Sequence, residues 1–292
     1  MTQIEGRTVV VIGATGTQGG AVINRLFETD GWQIRAVSRD GTGEKARVLT
    51  DRGVEVRQAD MDDSASLDAV MDGADRLFFV PIVGGEGPPS EIARGIAVAD
   101  AAARAGVAHV VFSGVSGGNR EIGVPNFQSK GIIEEHLKST GLHHTILRPV
   151  SFMENFNRNR DSILGGQISG VLNPEKAQQY ISVRDIAAFA VAALDDPGRF
   201  DGDAFDLAGD ELRMPDLAAL FARMLGRTVE YNHIPSGEPR STMAQPMLVM
   251  NDFFEREGYG VDIDALRARW GIPLTTMEEW IRTEPGWPLA SA

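Results

Sequence analysis

The chain has 292 residues, no cysteine and a formal net charge of −13, with 42% hydrophobic and 24% charged residues. These proportions are those of an ordinary globular protein, long enough for one large α/β domain or a domain with a smaller lobe. The missing cysteines exclude disulfides, thiol catalysis and thiolate-bound metals, and the acidic balance argues against attraction to nucleic-acid phosphates.

The opening MTQIEGRTVVVIG has neither the cationic start nor the long apolar run of a secretory signal. No apolar run reaches the ~18–20 residues that span a bilayer. A cytoplasmic protein with no membrane association is therefore expected, and the lack of cysteine fits a reducing compartment.

Six β-branched or aromatic runs read as strands: RTVVVIG (7–13), QIRAVSR (33–39), VEVRQAD (54–60), RLFFVP (76–81), HVVFSGV (109–115) and HTILRP (144–149). Several are apolar on both faces, as in a parallel sheet covered on both sides. Helical patterns alternate with them, among them Gly20–Glu28, Ser64–Met71 and Ile92–Ala105. The alternation predicts a Rossmann-type doubly wound parallel sheet over residues 1–154.

After Pro149 the periodicity is lost in an Asn- and Gly-rich stretch. A short strand at 180–183, a helix over Asp185–Leu194 and a strand at 202–209 follow, so that 178–207 is expected to return to the first domain. A helix over Met214–Leu225 and a polar C-terminal stretch complete a smaller α/β lobe, spanning 155–292. The Pro- and Gly-dense PIVGGEGPPS (81–90) reads as a ligand-contacting loop at a strand end, with Val80 and Pro81 at its root.

VVVIGATGTQGGAVINRL sets Gly13, Gly16 and Gly19 after a buried strand and at the head of an amphipathic helix. A dinucleotide fingerprint needs that context. Gly13 permits the tight turn, Gly16 the approach of the pyrophosphate, and Gly19 close packing of helix on strand. The helix N-terminus offers N–H groups and the positive dipole end, and Thr15, Thr17 and Gln18 can add side-chain contacts. The competing interpretation is a purely structural strand–turn–helix junction.

An NAD-specific site carries a carboxylate at the end of the second strand. Here that strand ends AVSRD, placing Ser38 and then Arg39 where the acid would be, with no carboxylate before Asp40. An arginine suits a ribose 2′-phosphate, so NADP(H) is the expected cofactor; otherwise Arg39 is a solvated loop charge. Asp60 and Met61 end the third strand within reach of an adenine, while Asp62 and Asp63 read as caps of the next helix.

In GVPNFQSKGIIEEHL (123–137), Pro125 and Asn126 read as closing a loop, with helical spacing from Ile132 and Lys130 on the first turn. Short-chain dehydrogenases carry a Tyr-x-x-x-Lys helix, the tyrosine protonating the carbonyl oxygen as hydride arrives, with a serine upstream. Ser113 and Lys130 occupy the serine and lysine positions, but the residue four before Lys130 is Asn126, and Tyr180, Tyr231 and Tyr259 all lie elsewhere.

VVIGATGTQGG, VVFSGV, NFQSKGIIEEHLKSTGL and TILRPVSFMENF together resemble the NmrA-like branch of the atypical short-chain dehydrogenases. That branch holds NADP(H)-binding redox sensors and quinone oxidoreductases. The resemblance implies an NADP(H)-binding Rossmann domain and a small lobe closing over a cleft. It carries the glycine loop onto Gly13, Gly16 and Gly19, the 2′-phosphate contact onto Arg39, and the ribose-side lysine onto Lys130. Pro149–Asn155 would lie along the nicotinamide, with Phe152 packed near it and Asn155 bonding its amide or a substrate. Core packing is the alternative for Phe152 and Met153.

Asp185, in ISVRDIA (181–187), reads as a helix N-cap rather than a catalytic acid. His109, His143 and His144 have no carboxylate at metal-ligand spacing, and no metal site is expected. Met243, Met247 and Met250, near Phe253 and Phe254, fit either a hydrophobic substrate pocket or core. Two functions remain open: an NADPH-dependent reductase of a quinone-like, conjugated or other small hydrophobic substrate, and a cofactor-ratio sensor acting through a regulatory protein partner. A monomer or homodimer is expected in either case.

Overall fold

In the computed structural model, residues 6–81, 87–234 and 245–290 are described. The chain divides into two compact units. The first comprises 1–121, 125–148 and 186–206; the second comprises 122–124, 149–185 and 207–292.

The first half alternates as its apolar runs require. It passes through β1 (Arg7–Ile12), α1 (Thr17–Leu26), β2 (Trp32–Ser38), α2 (Glu44–Asp51), β3 (Glu55–Gln58), α3 (Ser64–Met71) and β4 (Arg76–Phe79). Next come α4 (Pro88–Ala105), β5 (His109–Ser113), α5 (Pro125–Ser139) and β6 (His144–Pro149). The pairings β3 with β2, β2 with β1, β1 with β4, β4 with β5 and β5 with β6 are all parallel. Strand order therefore reverses between β1 and β4, the switch point at whose carboxyl edge such sheets bind ligands.

Residues on both faces of β1, β4 and β5 are buried, with Val9, Val10 and Val11 wholly inaccessible beside Leu77, Phe78 and Phe112. This two-sided burial is why these strands read as continuous apolar runs. Helix α3 starts as expected: Asp63 caps it, its carboxylate accepting from the Ala65 N–H. Asp62 instead pairs with Arg94 of α4. Helix α5 begins earlier than its apolar spacing suggests. Proline fits the first helical position because its missing N–H would be unpartnered there anyway. Pro125 and Asn126 thus open the helix, and Lys130 lies in the second turn.

The second unit is built from shorter pieces. It runs through β7 (Ser151–Phe152), a 3₁₀ segment (Met153–Asn159), α6 (Arg160–Leu164), β8 (Gln167–Gly170) and β9 (Ala177–Ile181). Helices α7 (Val183–Asp195) and α8 (Pro197–Phe200) then lead to β10 (Ala204–Leu207), which flanks β6 as the seventh strand of the main sheet. The second unit resumes with β11 (Asp210–Arg213), α9 (Met214–Leu225), β12 (Glu230–His233), α10 (Gln245–Arg256), α11 (Ile263–Trp270) and α12 (Met277–Thr283). Its strands form a three-stranded sheet, β11-β9-β7, and a β12-β8 pair. Its core gathers Phe156, Tyr180, Phe221, Trp280 and Trp287.

Asp185 is not an N-cap. It lies inside α7, where its buried carboxylate accepts from the Thr275 N–H and hydroxyl at 2.7 Å each. Burial pushes this carboxyl above its ordinary value, and the Thr275 bonds work against that rise. Among the described residues no helix is long and apolar enough to cross a membrane.

Candidate cofactor site

The glycine loop follows β1. Gly13 has φ +82°, a left-handed conformation that side chains rarely adopt, and its carbonyl accepts from the Gly16 N–H at 2.9 Å. A Cβ on Gly19 would lie 2.3 Å from that same carbonyl oxygen and 2.9 Å from the Ala14 Cα. Both contacts are backbone, so only glycine lets α1 start this close to the strand.

Gly16 sits at the N-cap without a side-chain hydrogen bond, and the first turn of α1 carries no acidic residue. First-turn N–H groups have no intrahelical acceptor, and the dipole is positive at this end. A phosphate therefore meets donors and no opposing charge. Thr15 is half-buried, Thr17 exposed. Gln18 turns to β5, its amide oxygen accepting from the buried Ser113 hydroxyl at 2.6 Å.

A cavity of about 330 Å³ opens beside the loop, lined by Thr15, Ser38, Arg39, Asp40, Gly43, Glu44, Lys45 and Ala46. It brings two cations together, Arg39 at the end of β2 and Lys45 on α2, the latter donating to the Thr15 carbonyl at 3.2 Å. Asp40 is tied back into its own turn, accepting from the Thr42 N–H and hydroxyl at 3.0 Å each. Those bonds hold its carboxyl below the ordinary range. Ser38 donates to the Asp40 carbonyl at 2.8 Å. A ribose 2′-phosphate suits the two cations, and of the two carboxylates in the lining Asp40 is held by its own turn while Glu44 belongs to the first turn of α2.

Asp60 is exposed and accepts from the Asp62 N–H at 3.0 Å. Met61 is buried in the main core, which leaves only a small part of its side chain to face a ligand. Val80 is half-buried opposite Gly13, its Cβ 3.7 Å from where a Gly13 side chain would begin; Pro81 is buried. The next residues of the loop, 82–86, lie outside the described residues, as does Met243.

Lys130 is not a free surface cation. Its ammonium lies 2.7 and 2.9 Å from the two carboxylate oxygens of Glu91, in the first turn of α4. Glu91 is fully buried and also accepts from the Ser129 hydroxyl. Asn126 is exposed one helical turn before Lys130.

Pro149, Phe152 and Asn155 belong to the second unit: Pro149 buried, Phe152 half-buried on β7 beside Ile181 of β9, and Asn155 exposed. Within that unit Glu154 accepts from the Val183 N–H, the Ser182 hydroxyl and the Trp280 indole, so this part of SFMENF anchors the start of α7. Met250 is half-buried, while Phe253 and Phe254 pack on Tyr259 with centroids 6.0 and 5.1 Å away, as core.

Glu91 and Lys45 escaped the sequence reading. Lys45 carries a weak signal, a cation six residues beyond Arg39 on the helix after the turn. Glu91 carries none, since an acid in a first helical turn is ordinary.

Residues 5–281 match the NmrA-like family. The chain is a member of that family. An NAD(P)H azoreductase of Xenophilus azovorans is 31% identical over 238 residues, covering 80% of each chain. The solved NADPH-dependent quinone oxidoreductase of Escherichia coli, complexed with NADPH, superposes with a TM-score of 0.79 at 24% identity, over 93% of this chain and 97% of that one. NmrA, a negative transcriptional regulator solved with NADP, superposes at 0.77 with 22% identity, over 96% and 95% of the two chains. At these identities the two structures establish a shared fold, and between them the NmrA-like fold serves both an enzyme and a regulator.

Proposed function

We propose that the chain binds NADP(H) and reduces quinones or similar conjugated carbonyls. The observation that carries the reading is the cavity where Arg39 and Lys45 converge beside the glycine loop. In this reading the N–H groups at the head of α1 hold the pyrophosphate, and Gly13 and Gly19 let it approach. Arg39 takes the 2′-phosphate in a bidentate contact, and Lys45 adds a second positive charge. Lys130 holds the ribose on the nicotinamide side, and the Gln18–Ser113 hydrogen bond fixes the loop against β5. Pro149, Phe152 and Asn155 belong to the nicotinamide end, and Asp60 to the adenine end.

The bound dinucleotide supplies a hydride. With Asn126 where a tyrosine would donate a proton, the acceptor must tolerate hydride addition without an enzymic acid. A quinone does so, because its reduced oxygen is stabilised by the ring and takes its proton from water. The azoreductase and quinone oxidoreductase relatives support a reductase role.

The missing tyrosine also favours a second reading, a sensor of the NADPH/NADP⁺ ratio with a protein partner, as the likeness to NmrA suggests. One experiment separates the two. NADPH oxidation is followed with a panel of quinones and enals, for wild type beside Lys130→Ala, together with titration of NADPH and NADP⁺. The reductase reading expects turnover with at least one acceptor and its loss of tenfold or more in Lys130→Ala. No turnover with any acceptor, alongside a large difference in affinity between the two redox states, rejects it in favour of the sensor.

A further inference from the structure

We propose that Glu91 is the positioning residue for Lys130, a clamp that fixes the ammonium where it meets the cofactor ribose. The inference rests on the reading above that Lys130 touches the ribose.

Burying a carboxylate costs several kcal/mol unless partners repay the lost water. Glu91 is wholly inaccessible, and its partners are consecutive residues of one helix, Ser129 and Lys130. Apolar contact would have sufficed for packing here. One turn further along the same two helices the contact is apolar, Gly95 against Ile133. A Cβ on Gly95 would stand 2.4 Å from the Ile133 Cδ1, so α4 and α5 approach closely enough for a glutamate to span the gap.

The Lys130 side chain keeps 17% of its surface exposed although the carboxylate is sealed. An ammonium has three donors, and the two oxygens of Glu91 take at most two. The clamp thus leaves a donor for a ligand while holding the side chain in place, so that binding orders less of it than it would of a free lysine. Ser129, which bonds the same carboxylate from inside, holds Glu91 in turn.

The test is cofactor affinity measured by fluorescence titration of NADPH and NADH, which requires no substrate. Wild type is compared with Lys130→Ala, Glu91→Gln and the double variant. Glu91→Gln is expected to weaken both cofactors by about tenfold, the order of one charge-assisted hydrogen bond. The double variant should bind no worse than Lys130→Ala alone, since the glutamate acts only through the lysine. Glu91→Asp, which keeps the charge but shortens the reach, should recover part of the loss and serves also if Glu91→Gln fails to fold.

Wild-type affinity in Glu91→Gln, with Lys130→Ala weakened, overturns the clamp and leaves the ribose role of Lys130 standing; where Glu91→Gln does not fold, wild-type affinity in Glu91→Asp does the same. Additive losses in the double variant overturn it as well, because a merely structural glutamate lowers affinity independently of the lysine. Wild-type affinity in Lys130→Ala removes the ribose role itself, and the clamp with it.

Discussion

Arg39 and Asp40 are neighbours at the end of β2 with opposite charges, and hydrogen bonding decides which of them addresses a ligand. The Asp40 carboxylate is occupied by Thr42, while Arg39 is exposed at the rim of the cavity with Lys45 across from it. Arg39→Asp replaces the guanidinium with a charge that repels a 2′-phosphate. NADPH affinity should fall on the order of 10–100-fold while NADH affinity changes by less than about threefold, the cost of a lost charge-assisted contact. Titration of both cofactors checks this, and equal losses would reassign Arg39 to the loop surface. The sequence disclosed Arg39 because it stands at a fixed offset from a strand end. It did not disclose that Lys45 shares the cavity, because that proximity depends on how α2 folds back over the turn.

At the scale of elements, the packing of α4 on α5 governs the lysine. Three contacts run along it: Glu91 with Ser129 and Lys130, Gly95 with Ile133, and Asp100 with His136 at 2.7 Å. Gly95→Ala should force the helices apart at the middle contact and cost about 1–3 kcal/mol by overpacking. Thermal melting should show the drop, and Gly95→Ala combined with Ile133→Ala should be less destabilised than the sum of the two single variants. Strands β1, β4, β5 and β6 were legible because they are buried on both faces and read as apolar runs. In the second unit the helix over Met214–Leu225 was legible from its apolar spacing, but the short strands were not, because β7, β8, β11 and β12 have two to four residues each and carry polar side chains such as Gln167, Asn232 and Glu230. The start of α5 was misplaced for a local reason: proline signals a loop as readily as a first helical position. Glu91 stayed invisible because its partners lie on another helix, nearly forty residues away.

For the whole molecule, buried carboxylates whose titration differs between folded and unfolded states make stability depend on pH. Glu134 of α5 is buried, which alone would push its carboxyl up. Hydrogen bonds from Arg148 of β6 and from Lys138 prevail and hold it below the ordinary value of 4.5. A carboxyl lowered in the folded state binds more protons unfolded, so it contributes stability above its unfolded value that is lost as pH falls through the folded one. Glu134→Gln leaves the Arg148 guanidinium, 8% exposed, without its hydrogen-bonded counter-charge, and should cost about 3–5 kcal/mol at pH 7. Urea unfolding at pH 7 and again below pH 4 should show the gap between variant and wild type narrowing in acid. A gap constant with pH would mean that geometry rather than charge is at stake. Glu154 of the second unit, raised by burial, has the opposite sign and becomes less favourable as pH climbs.

Because α5 begins at Pro125, Asn126 already stands one turn before Lys130, on the same face and open to solvent. An asparagine therefore occupies that position without interrupting the start of the helix. The backbone that would carry a tyrosine is helical, and Ser113 on β5 and Lys130 on α5 are both present. A single substitution, Asn126→Tyr, would complete the serine, tyrosine and lysine set of the short-chain dehydrogenases on a backbone that is already helical there.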